Sequence, residues 1–196
     1  MNQDLTEIIF ILDRSGSMSG LENDTIGGYN GFIKKQAEIG ETSLTTVLFD
    51  DKYEILHNGV KAKDVVLTDK EYYTRGCTAL LDAVGKTIND VGNRLSETVE
   101  ARRPGNVIFV ITTDGLENAS KKFTYSKIKD MIKHQTEKYS WQFIFMGANI
   151  DVAEEGEKLG IDADSLCRFS ATSAGVAKMF SEATTKCYSL RRKKII

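Results

Sequence analysis

Runs of apolar residues, bounded by glycine, proline and acidic residues, divide this chain into alternating predicted strands and helices. Continuous apolar runs indicate buried strands, whereas apolar residues that recur at three and four positions indicate helices. The runs predict strands over residues 5–12, 43–49, 52–56, 106–112, 141–147 and 166–169. The helical spacing predicts helices over about 21–40, 80–95, 125–135, 152–159 and from about 174 onward. A weak pattern over 57–75 predicts a surface connection with a short strand at 65–67.

From residue 100 onward the predicted strands alternate with helices, which requires parallel pairing and right-handed crossovers. Residues 43–49 and 52–56 are joined by a short acidic turn, Asp50-Asp51, which predicts an antiparallel hairpin. The sequence therefore predicts a doubly wound α/β fold, with a mostly parallel central sheet flanked by helices and one antiparallel edge hairpin. At 196 residues the chain is expected to form a single domain over residues 1–196.

Composition and charge narrow the classes of function. The apolar fraction of 41% and the charged fraction of 28% are typical of a globular protein, and a net charge of −2 predicts no nucleic-acid partner. No apolar run approaches the roughly 18 residues that a membrane helix needs, and the first residues lack the pattern of a signal peptide. The widely spaced Cys77, Cys167 and Cys187 indicate neither a disulfide framework nor a zinc site, so a cytoplasmic location is expected.

Three oxygen-bearing residues follow the first predicted strand on alternate positions, namely Asp13, Ser15 and Ser17. In an extended loop such side chains can turn toward one point. One carboxylate and two hydroxyls at that point would suit a hard divalent cation, which prefers oxygen ligands. The pattern D-x-S-x-S is short, however, and by itself it is also typical of a solvated turn.

Two later segments make the prediction more specific. Thr78 lies in the sequence Gly-Cys-Thr-Ala-Leu at the start of a predicted helix, and Asp114 follows the apolar strand that precedes Gly115. Asp13 and Asp114 both lie at the carboxyl ends of strands, where ligands bind in open α/β sheets. The two acids are therefore expected to meet at one edge of the sheet.

The order D-x-S-x-S, then G-x-T-x-L, then an apolar strand with T-D-G resembles the von Willebrand factor A (vWA) family over nearly the whole chain. In that family these residues build a metal-ion-dependent adhesion site, or MIDAS. The resemblance implies that Ser15 and Ser17 bind the cation directly and that Asp13 acts through water and hydrogen bonds. It also implies that Thr78 and Asp114 alternate between direct and water-mediated contact. The full implied metal-ligand set is Asp13, Ser15, Ser17, Thr78 and Asp114.

The resemblance implies a non-enzymatic, metal-dependent protein-binding module in which an Asp or Glu of a protein partner completes the cation. Mg²⁺ is expected because such a site retains water, with Mn²⁺ or Ca²⁺ as alternatives. The chain resembles small stand-alone vWA proteins of bacterial type, which belong to cytoplasmic stress-response or assembly systems, including tellurite-resistance clusters. Arg14 and Met18, beside the implied ligands, are expected to face the partner. Glu117 and Asn118 could do the same, with hydrogen bonding within the loop as the alternative.

Alternative structural roles remain for several of these residues. The Thr78 hydroxyl could cap the following helix, and Asp50 and Asp51 could act as further ligands or, as their position favours, as turn-forming residues. An EF-hand loop would use Asp13, Ser15, Ser17 and Asp24, but its sixth position is Met18, where that loop requires glycine.

A phosphoryl-accepting aspartate, as in metal-dependent phosphatases or response-regulator receivers, is the alternative function. Haloacid-dehalogenase-like phosphatases require a second acid at the position of Ser15, and receivers require a paired acid where only Asp4 and Glu7 are available. The basic run at residues 191–194 predicts a solvated tail, with contact to an anion as the alternative.

Overall fold

The computed structural model describes residues 1–192, which are built around one six-stranded sheet. Its strands are β1 (Asn2–Asp13), β2 (Thr42–Phe49), β3 (Tyr53–Lys61), β4 (Pro104–Thr113), β5 (Gln142–Gly147) and β6 (Leu166–Arg168). Its helices are α1 (Glu22–Ile39), α2 (Leu80–Glu97), α3 (Tyr125–Tyr139), α4 (Val152–Leu159) and α5 (Ser173–Arg192). The strand order is β3-β2-β1-β4-β5-β6, and only the β2–β3 pair is antiparallel. The predicted doubly wound α/β fold with one antiparallel edge hairpin is confirmed.

Strand β1 lies at the centre of the sheet and is buried from Thr6 to Asp13. Its side chains alternate between two apolar cores because successive residues of a strand point to opposite faces. Phe10 and its even-numbered neighbours pack against α1 and α5, while Ile9 and Ile11 pack on the side of α2, α3 and α4. The direction of winding reverses between β1 and β4, so the crevice at their carboxyl ends is where this fold places a ligand.

Helices α1 and α5 approach closely because α1 carries glycine at the crossing. A Cβ atom at Gly28 would lie 2.1 Å from the ring of Phe180, whereas one at Gly31 on the same helix would meet nothing within 4 Å. The ring of Phe180 in turn stacks on that of Phe10, at 5.9 Å between ring centroids. Gly28 therefore sets the distance between this helix pair and the centre of the sheet.

Two expectations for the segment after β2 are wrong. Strand β3 extends to Lys61 beyond the predicted end at residue 56, because it is an edge strand whose mostly exposed side chains give no apolar run. Residues 65–67 form no strand. Their apolar alternation arises because Leu67 is buried against α1, where the Asn30 side chain supplies both hydrogen bonds to the Leu67 backbone, at 2.8 and 2.9 Å.

The basic C-terminal run is only partly a solvated tail. Arg191 is half-buried, and its guanidinium donates to the hydroxyl of Thr42 at 2.6 Å. Arg192 is exposed and donates to the hydroxyl of Tyr188 at 2.9 Å. Residues 193–194 of that run lie outside the described residues, so Arg191 is the part of the prediction that the structure corrects.

The three cysteines are free thiols. Cys77 is exposed, whereas Cys167 and Cys187 are buried. Burial raises the pKa of the Cys167 thiol to about 11 and that of Cys187 to about 12, so both are poor nucleophiles. Within residues 1–192, no helix combines the length and the apolarity that a membrane crossing requires.

The glycine at the helix crossing yields a paired prediction. Gly28→Ala should lower the free energy of unfolding by about 1–2 kcal/mol, because its methyl group would overlap the Phe180 ring. Gly31→Ala should raise it by about 0.5–1 kcal/mol, because alanine is the better helix former and the site is open. Urea denaturation of the two variants measures both values. Shifts of the same sign would contradict this account of the helix pair.

Candidate metal centre

Asp13, the last residue of β1, fixes the loop that follows it. Its Oδ1 accepts a hydrogen bond from the Ser15 backbone N–H at 2.7 Å, and its Oδ2 accepts one from the Thr113 hydroxyl at 2.6 Å. The Tyr72 hydroxyl donates to the Asp13 carbonyl oxygen at 2.7 Å. Both carboxylate oxygens are therefore engaged, and Asp13 joins the loop to the end of β4.

A chain of hydroxyl and carboxylate oxygens runs from this loop to Asp114. The hydroxyl oxygens of Ser15 and Ser17 lie 3.0 Å apart, and the Ser17 hydroxyl donates to Asp114 Oδ1. Asp114 Oδ2 is buried and has no hydrogen-bond partner within residues 1–192. A buried carboxylate oxygen without a partner is costly and rare, so this atom calls for an explanation.

Thr78 brings its hydroxyl to the same point. A Cβ atom at Gly115 would lie 3.2 Å from both Ser17 Oγ and Thr78 Oγ1, so glycine keeps this space open. The Thr78 backbone is held by Asn118, whose side-chain oxygen accepts the Thr78 N–H at 2.9 Å and whose own N–H donates to the Thr78 carbonyl at 3.0 Å. The five residues predicted as ligands thus lie together at the carboxyl edge of β1 and β4.

The capping role considered for Thr78 is not found. The residue before α2 is Ala79, and the cap is supplied by the loop that follows Asp114. In that loop, Glu117 Oε2 and Ser120 Oγ each accept a backbone N–H from the first turn of α2, both at 2.9 Å. Of the two roles left open for Glu117 and Asn118, the structure shows hydrogen bonding within the site. The Glu117 carboxylate binds inward, and Asn118 is exposed but uses its side-chain oxygen to hold Thr78.

Arg14 and Met18 were expected to face a partner, and both expectations are wrong. Their exposed fractions are only 1% and 2%. Arg14 turns inward because two acids compensate its charge: its Nε lies 3.0 Å from Asp50 Oδ2 and its Nη2 lies 2.8 Å from Glu54 Oε2. Arg14, which lies between the predicted ligands Asp13 and Ser15 in the sequence, therefore has a structural role.

Asp50 is the centre of a buried ion-pair network under the site. Its Oδ2 also accepts Arg75 Nε at 2.7 Å, and its backbone carbonyl accepts the N–H of Ala79 at 3.0 Å. Its Oδ1 accepts the Lys52 N–H at 2.6 Å, the local turn contact that was favoured for this residue. Burial acts to raise the pKa of Asp50, but the hydrogen bonds from Arg75 and Lys52 and the two arginine charges hold it below its ordinary value. Asp50 is therefore a charged anchor with no oxygen free for a metal.

The candidate site gathers negative charge. Burial, with a smaller contribution from the nearby Asp114 charge, raises the pKa of Asp13 to about 6 against its hydrogen bonds. Burial also raises the pKa of Asp114. A divalent cation beside two such carboxylates would favour their charged forms. No group of three or more His, Cys, Asp or Glu side chains suited to a metal occurs in the described part of the chain, so hydroxyls would supply most protein ligands.

Sequence reasoning missed several residues that position this site. Thr113 carried a weak signal, as a polar residue at the end of an apolar strand, whereas Tyr72 lies in the segment with no clear pattern. The residues that anchor Arg14 gave no sequence signal, because Asp50 is 36 residues away in the chain. Such contacts depend on the fold and are invisible to local patterns.

The fold is that of vWA domains. It is similar to the vWF domain of the type V pili tip protein Mfa5 from Porphyromonas gingivalis, with a TM-score of 0.68 and 11% identity over 97% of this chain and 98% of that one. It is also similar to the PilB minor pilin from Streptococcus sanguinis, with a TM-score of 0.67 and 15% identity over 97% of this chain and 62% of that one. The manganese-loaded TRAP protein of Plasmodium vivax gives a TM-score of 0.61 and 14% identity over 91% of this chain and 73% of that one.

These likenesses show the fold alone, because all three identities are low. The chain spans about half to three fifths of the length of several solved structures that it matches. No protein-family model matches the chain, and no curated protein matches it. The argument for a function therefore rests on the geometry of the candidate site.

The buried network gives a prediction about stability and pH. Asp50→Asn should lower the free energy of unfolding by about 3 kcal/mol at neutral pH, because it leaves buried Arg14 without its main counter-charge. The neighbouring exposed Asp51→Asn should change it by less than about 0.5 kcal/mol. Urea denaturation of both variants measures the two effects.

The pH dependence follows from the lowered pKa of Asp50. The stability that this carboxylate contributes is present above its unfolded-state pKa and is lost as the pH falls through the folded-state pKa. The difference between wild type and Asp50→Asn should therefore stay level from about pH 7 to about pH 5 and narrow as the pH falls from about 5 to about 2. A constant difference over that range would contradict the assignment.

Proposed function

We propose that this chain is a metal-dependent protein-binding module whose divalent cation is completed by an acidic residue of a protein partner. The observation that carries the proposal is the buried, unpaired Oδ2 of Asp114. The other oxygen of this carboxylate accepts the Ser17 hydroxyl, which lies 3.0 Å from that of Ser15, and the Thr78 hydroxyl faces the same space beside Gly115. An oxygen set of this kind, with two acids to offset a double positive charge, suits a hard cation such as Mg²⁺ or Mn²⁺.

The residues divide into ligands and supports. Ser15, Ser17, Thr78 and Asp114 would hold the cation, while Asp13 orders the loop through the Ser15 N–H and the Thr113 hydroxyl. When bound, the cation supplies a Lewis-acidic position that takes a carboxylate oxygen. Ser17 is exposed, so a partner can reach that position from solvent.

The surface around the site fits a protein partner. Leu116, directly after Gly115, is 60% exposed, and Cys77, directly before Thr78, is also exposed. An apolar side chain beside a polar centre is a common feature of protein interfaces. Two of the similar structures are a manganese-loaded TRAP protein and a vWF domain of a pili tip protein, which supports the proposal that this chain binds a cation and a partner. The cytoplasmic, bacterial stress-response setting stays a prediction.

The alternative of a phosphoryl-accepting aspartate is less well supported. Such an enzyme requires a free carboxylate oxygen at the end of the first strand, but both oxygens of Asp13 already accept hydrogen bonds. The proposal therefore expects no Mg²⁺-dependent hydrolysis of p-nitrophenyl phosphate. Turnover that Asp13→Asn abolishes would favour the alternative.

The direct test of metal binding is a titration of the melting temperature with Mg²⁺ and with Mn²⁺. A ligand that binds only the folded state adds about 2.7 kcal/mol at a concentration 100 times its Kd, or roughly 5–10 °C for a chain of this size. Wild type should show this rise, and Ser15→Ala/Ser17→Ala should not. Ser19→Ala, in the same loop and exposed, is the matched control and should behave as wild type.

Equal metal-induced shifts in the double variant and in wild type would contradict the proposed ligands. If wild type binds metal as expected, partner binding is tested next by affinity capture with Mg²⁺ or with a chelator. Proteins retained by the Mg²⁺-loaded wild type should be lost with the chelator and with the double variant. Retention that is independent of metal would contradict the proposed mode of binding.

Asp114→Asn separates metal binding from folding. In the metal-free protein it should keep cooperative unfolding and change the free energy of unfolding by less than about 1 kcal/mol, because burial already disfavours this charge. With Mg²⁺ or Mn²⁺ it should show no rise in melting temperature. Loss of cooperative unfolding in the metal-free variant would show that Asp114 is structural.

A further inference from the structure

A cavity lies at the opposite edge of the sheet from the candidate metal centre. It has a volume of about 670 Å³ and lies between α2 and α3, above the amino ends of β1 and β4. Its size falls within the range of pockets that hold small organic molecules. The proposed protein-binding function makes no use of it.

The floor of this cavity is apolar and rigid. It is formed by four buried side chains of the core on that face of the sheet: Ile88, Leu95, Val107 and Trp141. The Trp141 ring is stacked on Phe109, with the ring centroids 5.2 Å apart, which fixes its orientation. Such a floor suits a flat apolar body.

The side chains of the lining that can carry a charge near neutral pH are all basic. Arg103, His134 and Lys138 line the cavity, and no aspartate or glutamate of the described chain does so, although 28 of the 196 residues are acidic. The guanidinium of Arg103 is held in place by the backbone carbonyls of Thr98 and Ser96, at 2.7 and 3.0 Å. Because its position is fixed, an anion bound there would not have to order the side chain.

Neutral amides add to the polar lining of the cavity. Asn89 and Asn93 on the facing helix α2 add two exposed amides to the same lining. The cavity therefore combines an apolar floor, basic groups and exposed amides.

We propose that this cavity binds a small aromatic anion, with its ring system on Trp141 and its charged group beside Arg103 and Lys138. The site is separate from the candidate metal centre, and the proposal does not depend on metal binding.

The test uses the full chain and a pair of fluorescent probes of similar shape, one charged and one neutral. The anionic probe is 8-anilinonaphthalene-1-sulfonate, and the neutral probe is N-phenyl-1-naphthylamine. Trp141 is the single tryptophan of the chain, so quenching of its emission reports binding. We expect one anionic probe per chain, bound more tightly than the neutral probe.

Two variants test the basic side chain of Lys138 and the free volume of the cavity. Lys138→Gln should weaken the anionic probe about fivefold and the neutral probe by less than about twofold, the size expected for one exposed ion pair. Lys127→Gln, an exposed position on the same helix outside the cavity, should change neither. Gly92→Leu should abolish binding of both probes, because its side chain would enter the cavity and a Cβ there meets Trp141 at an ordinary 3.8 Å.

Three results would overturn the proposal. They are equal binding of the charged and the neutral probe, equal effects of Lys138→Gln and Lys127→Gln, or unchanged binding by a folded Gly92→Leu variant. Thermal unfolding of each variant verifies that it is folded. If Gly92→Leu does not fold, the lysine pair and the comparison of the two probes still decide the question.

Discussion

The carboxylate of Asp13 is the contact on which the candidate site depends. It ends the central strand, and its two oxygens join the backbone of Ser15 to the hydroxyl of Thr113 at the end of the neighbouring strand β4. Because both oxygens are engaged and buried, the loop has little freedom. The hydroxyls of Ser15 and Ser17 are thereby aligned with Asp114, whose second oxygen has no protein partner in the described chain.

A second buried carboxylate supports the first. Asp50 binds Arg14 from the metal loop and Arg75 from the segment before Thr78, so one side chain links both segments that would supply hydroxyl ligands. The acids of this region therefore have two different electrostatic environments. Around Asp50 the acid is compensated by arginines and its pKa is lowered. Asp13 and Asp114 form no ion pair within residues 1–192, and burial raises their pKa values.

Periodicity was sufficient to predict the sheet, because buried strands and amphipathic helices leave long apolar patterns. It failed at β3 and at residues 65–67, where an edge strand is polar and where Asn30 replaces a neighbouring strand. The resemblance to vWA domains placed five candidate ligands that the structure brings to one edge. It could not place Arg14 or Glu117, because their partners come from distant segments and only the folded chain shows that they point inward.

The central claim is that Asp114 Oδ2 and three hydroxyls hold a divalent cation, and the most direct measurement is anomalous X-ray diffraction from crystals grown with Mn²⁺. The account predicts one strong anomalous peak within coordination distance of Ser15 Oγ, Ser17 Oγ and Asp114 or its bound water. The same crystals of Ser15→Ala/Ser17→Ala should lack that peak. A peak elsewhere, or none at this edge of the sheet at millimolar Mn²⁺ when the loop is ordered, would contradict it.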